Sequence, residues 1–192
     1  MLRYVFIIVI IVSKSLLAES PIKNGMINFS GNLSYMNEKT EDPDNYRHHL
    51  ILNPQFGYFV LNNLSINLSA DYSYESFLDY SITEYGIGPA LRYYINFDKV
   101  NPFVSVGYLF TEKIDLYESR REFDFPGQSM TISTGIDYFV TNSVALETIV
   151  RYRIITKEEP AYTISADSPY HEVFSSRNYN SFLIGFGINV FL

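Results

Sequence analysis

From Leu64 to Glu75 the sequence alternates without a slip. Leu64, Ile66, Leu68, Ala70, Tyr72 and Tyr74 hold one parity, while Ser65, Asn67, Ser69, Asp71, Ser73 and Glu75 hold the other. Side chains on a strand point to opposite faces with period two, so a strand sorts these residues onto two faces, whereas a helix scatters them around its circumference. Segments at about 25–37, 47–60, 83–96, 102–111, 128–140, 144–155 and 178–192 follow the same rule, giving eight predicted strands with 64–76 included. In each, one face carries no charged residue. Every Asp, Glu and Arg within a strand falls on the face shared with Ser, Asn and Gly.

The glycines decide which face points inward. Gly57, Gly86, Gly88, Gly107, Gly135, Gly185 and Gly187 all lie on the polar side, and the interior of an eight-stranded barrel is only wide enough for side chains to fill. The apolar face is then the exterior, the reverse of a soluble lipocalin-like carrier, which needs an apolar cavity and a polar surface. In hydrocarbon an open sheet edge leaves unpaired backbone groups costing several kcal/mol each, so strands must close on themselves. The connections agree: 36–46, 77–82, 112–127 and 156–177 are long, and 61–63, 97–101 and 141–143 between them are short. That alternation is the habit of bacterial outer-membrane barrels. The predicted fold is all-β: an eight-stranded antiparallel up-and-down transmembrane β-barrel with short periplasmic turns and longer extracellular loops.

Residues 1–18 stand apart from this pattern. A basic start with Arg3, an apolar run from Val5 to Val12 and a polar-to-small exit ending at Ala18 read as a secretory signal peptide. The run is too short for a membrane-spanning helix, which needs about 20 apolar residues. The predicted organisation is a signal at 1–18 and one barrel domain at 19–192. Removing Arg3 and Lys14 leaves 12 basic residues against 21 acidic ones and moves the formal net charge from −7 to −9, which argues against nucleic acid as a partner. The 17 Tyr and 15 Phe suit strands and membrane boundaries. With no Cys, disulfide frameworks and thiolate chemistry are excluded.

Asp71, Glu75, Glu84, Arg92, Asp137, Glu147, Arg151 and Arg153 all take the inward parity. Buried charges must be paired or heavily hydrogen-bonded, so these eight form the expected lumen charge network. Counting from the short-turn ends puts Arg92, Asp137 and Glu147 in a lower cluster, with Asp71, Arg151 and the remaining acids higher. Phe59, Tyr94 and Phe139 are expected to help plug the interior.

Three stretches carry a family likeness: Asn53 to Val60 leading through Asn62 and Asn63, Tyr85 to Tyr94, and Gly135 to Val140 before Thr141. On these the chain resembles the OmpA-like outer-membrane β-barrel family over nearly all of its mature length. The resemblance implies a bacterial outer-membrane location and contact with lipid, lipopolysaccharide and the outer-membrane assembly machinery. It describes architecture and brings no catalytic residue, cofactor or metal. Set beside that family, the chain is expected to carry the barrel without the peptidoglycan-binding domain of larger members, and its eighth strand to run to Phe191 and Leu192 where the family's usual terminal residue is aromatic.

The function expected is a structural or surface-interaction role without enzymatic activity; the alternatives are a narrow porin-like channel and a lipid A-modifying enzyme. His171 and Glu172 with Ser168, Ser175 and Ser176 supply the residue types of a serine hydrolase. Lipid A deacylases, however, place theirs on lipid-facing strands, whereas His171 falls in the longest predicted connection and no charged or histidine residue stands on the apolar face. His48 and His49 near Glu41, Asp42 and Asp44 are competent metal-ligand types, but adjacent strand residues point to opposite faces. Asp115, Glu118, Arg120, Arg121, Glu122 and Asp124, interleaved with Tyr117, Phe123 and Phe125, form a charged aromatic stretch able to meet a surface ligand or to pack over the barrel mouth.

Overall fold

The computed structural model describes residues 22–39, 46–77, 80–117, 120–165 and 168–192. Eight strands run in chain order: β1 Ile27–Lys39, β2 Tyr46–Leu61, β3 Leu64–Phe77, β4 Tyr80–Tyr94, β5 Val100–Tyr117, β6 Arg120–Phe139, β7 Val144–Ser165 and β8 Ser168–Phe191. Each pairs antiparallel with its neighbour, and β1 pairs with β8 to close the barrel.

The three short turns hold their expected places. Asn62 and Asn63 join β2 to β3, with Asn63 at φ 75° in the left-handed region that Asn tolerates. Asp98 does the same at φ 58° between β4 and β5. The fifth and seventh connections differ from expectation. The ladder between β5 and β6 continues to Tyr117↔Arg120, and that between β7 and β8 to Ser165↔Ser168. Most of 112–127 and 156–177, expected as loops, is therefore paired strand, and the backbone of His171 lies on β8 opposite Thr163. The backbone ladder therefore persists beyond the point where the alternating pattern of the sequence stops.

The wall is interrupted at two prolines. Between β2 and β3 the pairing passes from Leu52↔Tyr72 to Gln55↔Ser69, skipping Asn53 and Pro54. Between β4 and β5 it skips Gly88 and Pro89. Proline has no N–H to donate to a ladder; at the first interruption the Asn53 amide turns sideways and donates to the carbonyl of Ala70 at 2.8 Å. The closing seam is short: Ile27 and Leu192 exchange backbone hydrogen bonds, and β1 then meets β8 from Asn28↔Phe191 to Leu33↔Phe186. Just above it Ser34 Oγ donates to the carbonyl of Ile184 at 2.8 Å.

Outward residues are apolar and exposed around the whole circumference, among them Phe29, Leu68, Ile87, Val106, Ile132, Leu146 and Phe186. Tyr58, Tyr93 and Tyr138 ring the short-turn end, and Tyr35, Tyr74 and Tyr85 ring the other. The Thr134 hydroxyl on this wall donates to the carbonyl of Phe103 at 3.0 Å, so it offers no free polar group. The upper rim corrects the expectation of a histidine-free face: His48 and Glu112 both stand exposed there, with His48 Nδ1 hydrogen-bonded to the Tyr35 hydroxyl at 3.0 Å. They lie on the outward parity of β2 and β5 but past the apolar residues of the wall.

Candidate functional site

Alternation turns every second side chain inward, and closure brings those positions from different strands into one lumen. Its lower end is apolar. Phe59, Tyr94, Phe103, Phe139, Ala145, Ile149 and Phe191 form one buried cluster with Ile22. Ring centroids of Phe139 and Phe191 stand 4.9 Å apart, and those of Tyr94 and Phe103 5.6 Å, distances typical of favourable aromatic pairs. Ile22 reaches this cluster because 22–26 fold under the barrel: Gly25 N donates to the Phe59 carbonyl and Asn24 N to Asn62 Oδ1. The ring of Phe103 lies where a side chain on residue 135 would stand, 2.5 Å from an ideal Cβ, so only glycine fits there.

Above the rings sits a first tier of charge. Arg92 Nη1 meets Glu147 Oε2 at 2.5 Å and also donates to the Tyr94 hydroxyl at 3.2 Å. Its Nη2 donates to Gln55 Oε1 at 3.0 Å, and the guanidinium lies 4.1 Å over the Phe103 ring centroid. Asp137, directly across the ladder from Glu147, accepts from Asn189 Nδ2 at 2.9 Å. Asn32 donates to Glu147 Oε1 at 3.2 Å and to Asn53 Oδ1 at 3.4 Å, linking this tier to the next.

The second tier joins β3, β4 and β7. Arg153 Nη2 lies 2.9 Å from Glu84 Oε1 and 3.6 Å from Asp71 Oδ2, and Arg151 Nη1 lies 3.5 Å from Asp71 Oδ1. Asn53 hydrogen-bonds both Asp71 and Arg151. Glu75 stands higher and half-buried, across the ladder from His49. The structure thus brings seven of the eight network residues into two linked tiers, with Glu75 above them. Chemically this is a brace: its groups are buried and engaged with one another.

Sequence reasoning passed over two parts of this interior. Asn32, Asn53 and Gln55 connect the tiers and Asn28 and Asn189 buttress the lower one, and their inward parity was the available signal. Phe103 and Phe191 complete the aromatic plug, again by parity, whereas Ile22 precedes the first strand and gave none. Of the other candidates, His48 faces outward and His49 inward, while Glu41, Asp42, Asp44 and Glu118 lie outside the described residues. Asp115, Tyr117, Arg120, Arg121, Glu122, Phe123, Asp124 and Phe125 lie on the β5–β6 hairpin, and Ser168, His171, Glu172, Ser175 and Ser176 on β8.

No family model matches the sequence, and no curated protein matches it either. Solved structures do match in fold. The outer membrane protein OprG from Pseudomonas aeruginosa aligns at a TM-score of 0.62 and 11% identity, over 91% of this chain and 99% of that one. The N-terminal β-barrel domain of Pseudomonas aeruginosa OprF gives 0.58 and 10%, over 89% and 99%. Neisserial surface protein A gives 0.57 and 14%, over 86% and 94%. At such identities the likeness is one of fold: this chain shares the closed eight-stranded antiparallel barrel of these small outer-membrane proteins.

Proposed function

We propose that this chain is an exported, OmpA-like barrel of the bacterial outer membrane with a structural or surface-interaction role, and that its lumen carries no steady current. The observation behind this reading is an outward apolar wall around an interior filled by aromatic rings below and paired charges above. On β8 the apolar stretch from Phe182 to Leu192 covers ten residue steps, about 33 Å along a strand and about 25 Å across a bilayer at a 40° tilt, the height of such a band. Residues 1–18 serve as the export signal, the outer-membrane assembly machinery inserts the barrel, and its wall meets lipid and lipopolysaccharide.

Surface contacts fall to the hairpins. β6 pairs with β7 only as far as Gly127↔Lys157, whereas β7 and β8 stay paired to Ser165↔Ser168. A ribbon about 26 Å long, at 3.3 Å per residue, stands clear of β6 and can present a ligand-binding edge. Planar-bilayer recording of the purified protein tests the closed lumen: a flat baseline is expected, and stable nanosiemens openings would overturn it in favour of a channel. Extraction of the mature protein into buffer without detergent would overturn the membrane reading itself. Unchanged lipid A masses in cells with and without the protein are expected, and a shifted mass would make it an enzyme.

A further inference from the structure

The lower tier holds two carboxylates and one guanidinium, all buried. Arg92 bonds Glu147 directly; Asp137 is left with the neutral amide of Asn189 on Oδ2 and the nearby Tyr94 hydroxyl. Asp137 Oδ1 is buried without a hydrogen-bond partner. An ionised carboxylate in that position is strongly unfavourable unless another charge compensates it. A second, independent atom lies beside it. Asn101 is the ladder partner of Asp137 across β5 and β6, and both are fully buried on the inward face, a placement that sets Cβ atoms about 4.5–5.5 Å apart. The Asn101 amide nitrogen is committed to the Asp98 carbonyl at 3.0 Å. That fixes the amide's orientation and leaves Asn101 Oδ1, too, buried and without a donor.

Two unserved oxygens on neighbouring strands and one surplus negative charge call for a positive species carrying a single charge. We propose that Asp137 and Asn101 form an intraluminal site for a small monovalent cation, Na⁺ or K⁺, beside the short turn between β4 and β5. Oxygen donors replacing a hydration shell are the usual means of holding such ions. Among the described residues no three His, Cys, Asp or Glu side chains gather to hold a metal, so a divalent ion lacks its carboxylates here. Bound there, the cation neutralises the tier and ties β5, whose Asn101 makes no bond to the Arg92 network, to β6.

Crystals of the full barrel grown in rubidium chloride test this directly. Anomalous density is expected between Asp137 and Asn101, and it should vanish in Asp137→Asn, a near-isosteric change that removes the charge. In detergent at constant ionic strength, replacing choline by Na⁺ or Rb⁺ should raise the unfolding midpoint by roughly 3–6 °C once the ion is tenfold above its dissociation constant. Asp137→Asn should lose that dependence. Absence of anomalous density in the wild-type crystal would overturn the site. So would a midpoint equal in choline and Na⁺ that responds to pH alone, because a proton on Asp137 would then be the compensating charge.

Discussion

Arg92 is the only cation of the lower tier among the described residues, and that makes its loss unlike the loss of its partner. In Arg92→Met the side chain keeps its length over the Phe103 ring but surrenders the 2.5 Å contact to Glu147, the 3.2 Å bond to Tyr94 and the 3.0 Å bond to Gln55. Two buried carboxylates, Glu147 and Asp137, then face each other across one ladder step with no positive charge between them. Removing one partner of a buried pair costs about 3–5 kcal/mol, mostly from the charge left behind. Glu147→Gln does the opposite. With choline as the only other cation present, so that no small ion sits beside Asp137, it leaves Arg92 with Asp137, the tier becomes neutral, and the new amide oxygen still accepts from Arg92. The charge assistance of the Arg92 contact is lost, and so is the Asn32 bond, since an amide offers one acceptor oxygen where the carboxylate offered two; together they cost about 1–2 kcal/mol. The double variant should therefore be less damaged than the sum of the two, with a coupling of about 2 kcal/mol. With no Trp in the chain, the assay is far-UV circular dichroism or gel mobility across a guanidinium series in lipid vesicles. If Glu147→Gln proves as costly as Arg92→Met, or the two effects simply add, the charge count of the tier is wrong.

Two further outcomes are expected. Ile132→Arg places a charge on the outward face in the middle of the wall and should cost about 2–4 kcal/mol, against about 0–1 kcal/mol for Asn180→Arg near the rim; equal costs, measured by unfolding in lipid, would show that the face does not meet hydrocarbon. Gly135→Ala should destabilise through the Phe103 ring and the Thr148 carbonyl, 2.5 and 2.4 Å from the new Cβ, whereas Gly31→Ala meets nothing within 4 Å and should leave the same unfolding midpoint unchanged.

The strands were legible because an apolar outer face and a packed polar lumen alternate residue by residue, as from Leu64 to Glu75. The same cause explains the misreading of 112–127 and 156–177. Above Thr111 and Ile155 the alternation of the sequence lapses, while backbone pairing carries the ladder on to Tyr117 and Ser165. Tight turns made the vertical position of inward charges readable: with Asn62 and Asn63 fixing one register and Thr141 to Ser143 another, counting residues from the turn is counting height. Partner choice was not readable in that way. Arg153 on β7 reaches Glu84 on β4 across the barrel, a contact set by closure and strand tilt rather than by sequence separation.

Asn53 shows why parity alone cannot assign a role to an inward polar residue. Its position says only that it faces the lumen, where it could equally line water or brace the wall. Its neighbour decides: Pro54 removes a donor from the ladder, the Ala70 carbonyl is left facing an amide that can reach it, and Asn53 fills the break at 2.8 Å. The same side chain bonds Asp71 and Arg151 and accepts from Asn32, so one amide ties a backbone defect in β2 to both charge tiers. A residue so committed cannot swing aside to open a water path without leaving the Ala70 carbonyl without its donor and stranding a guanidinium. The proline in the wall and the closed lumen are therefore one arrangement, since the group that repairs the first also locks the second.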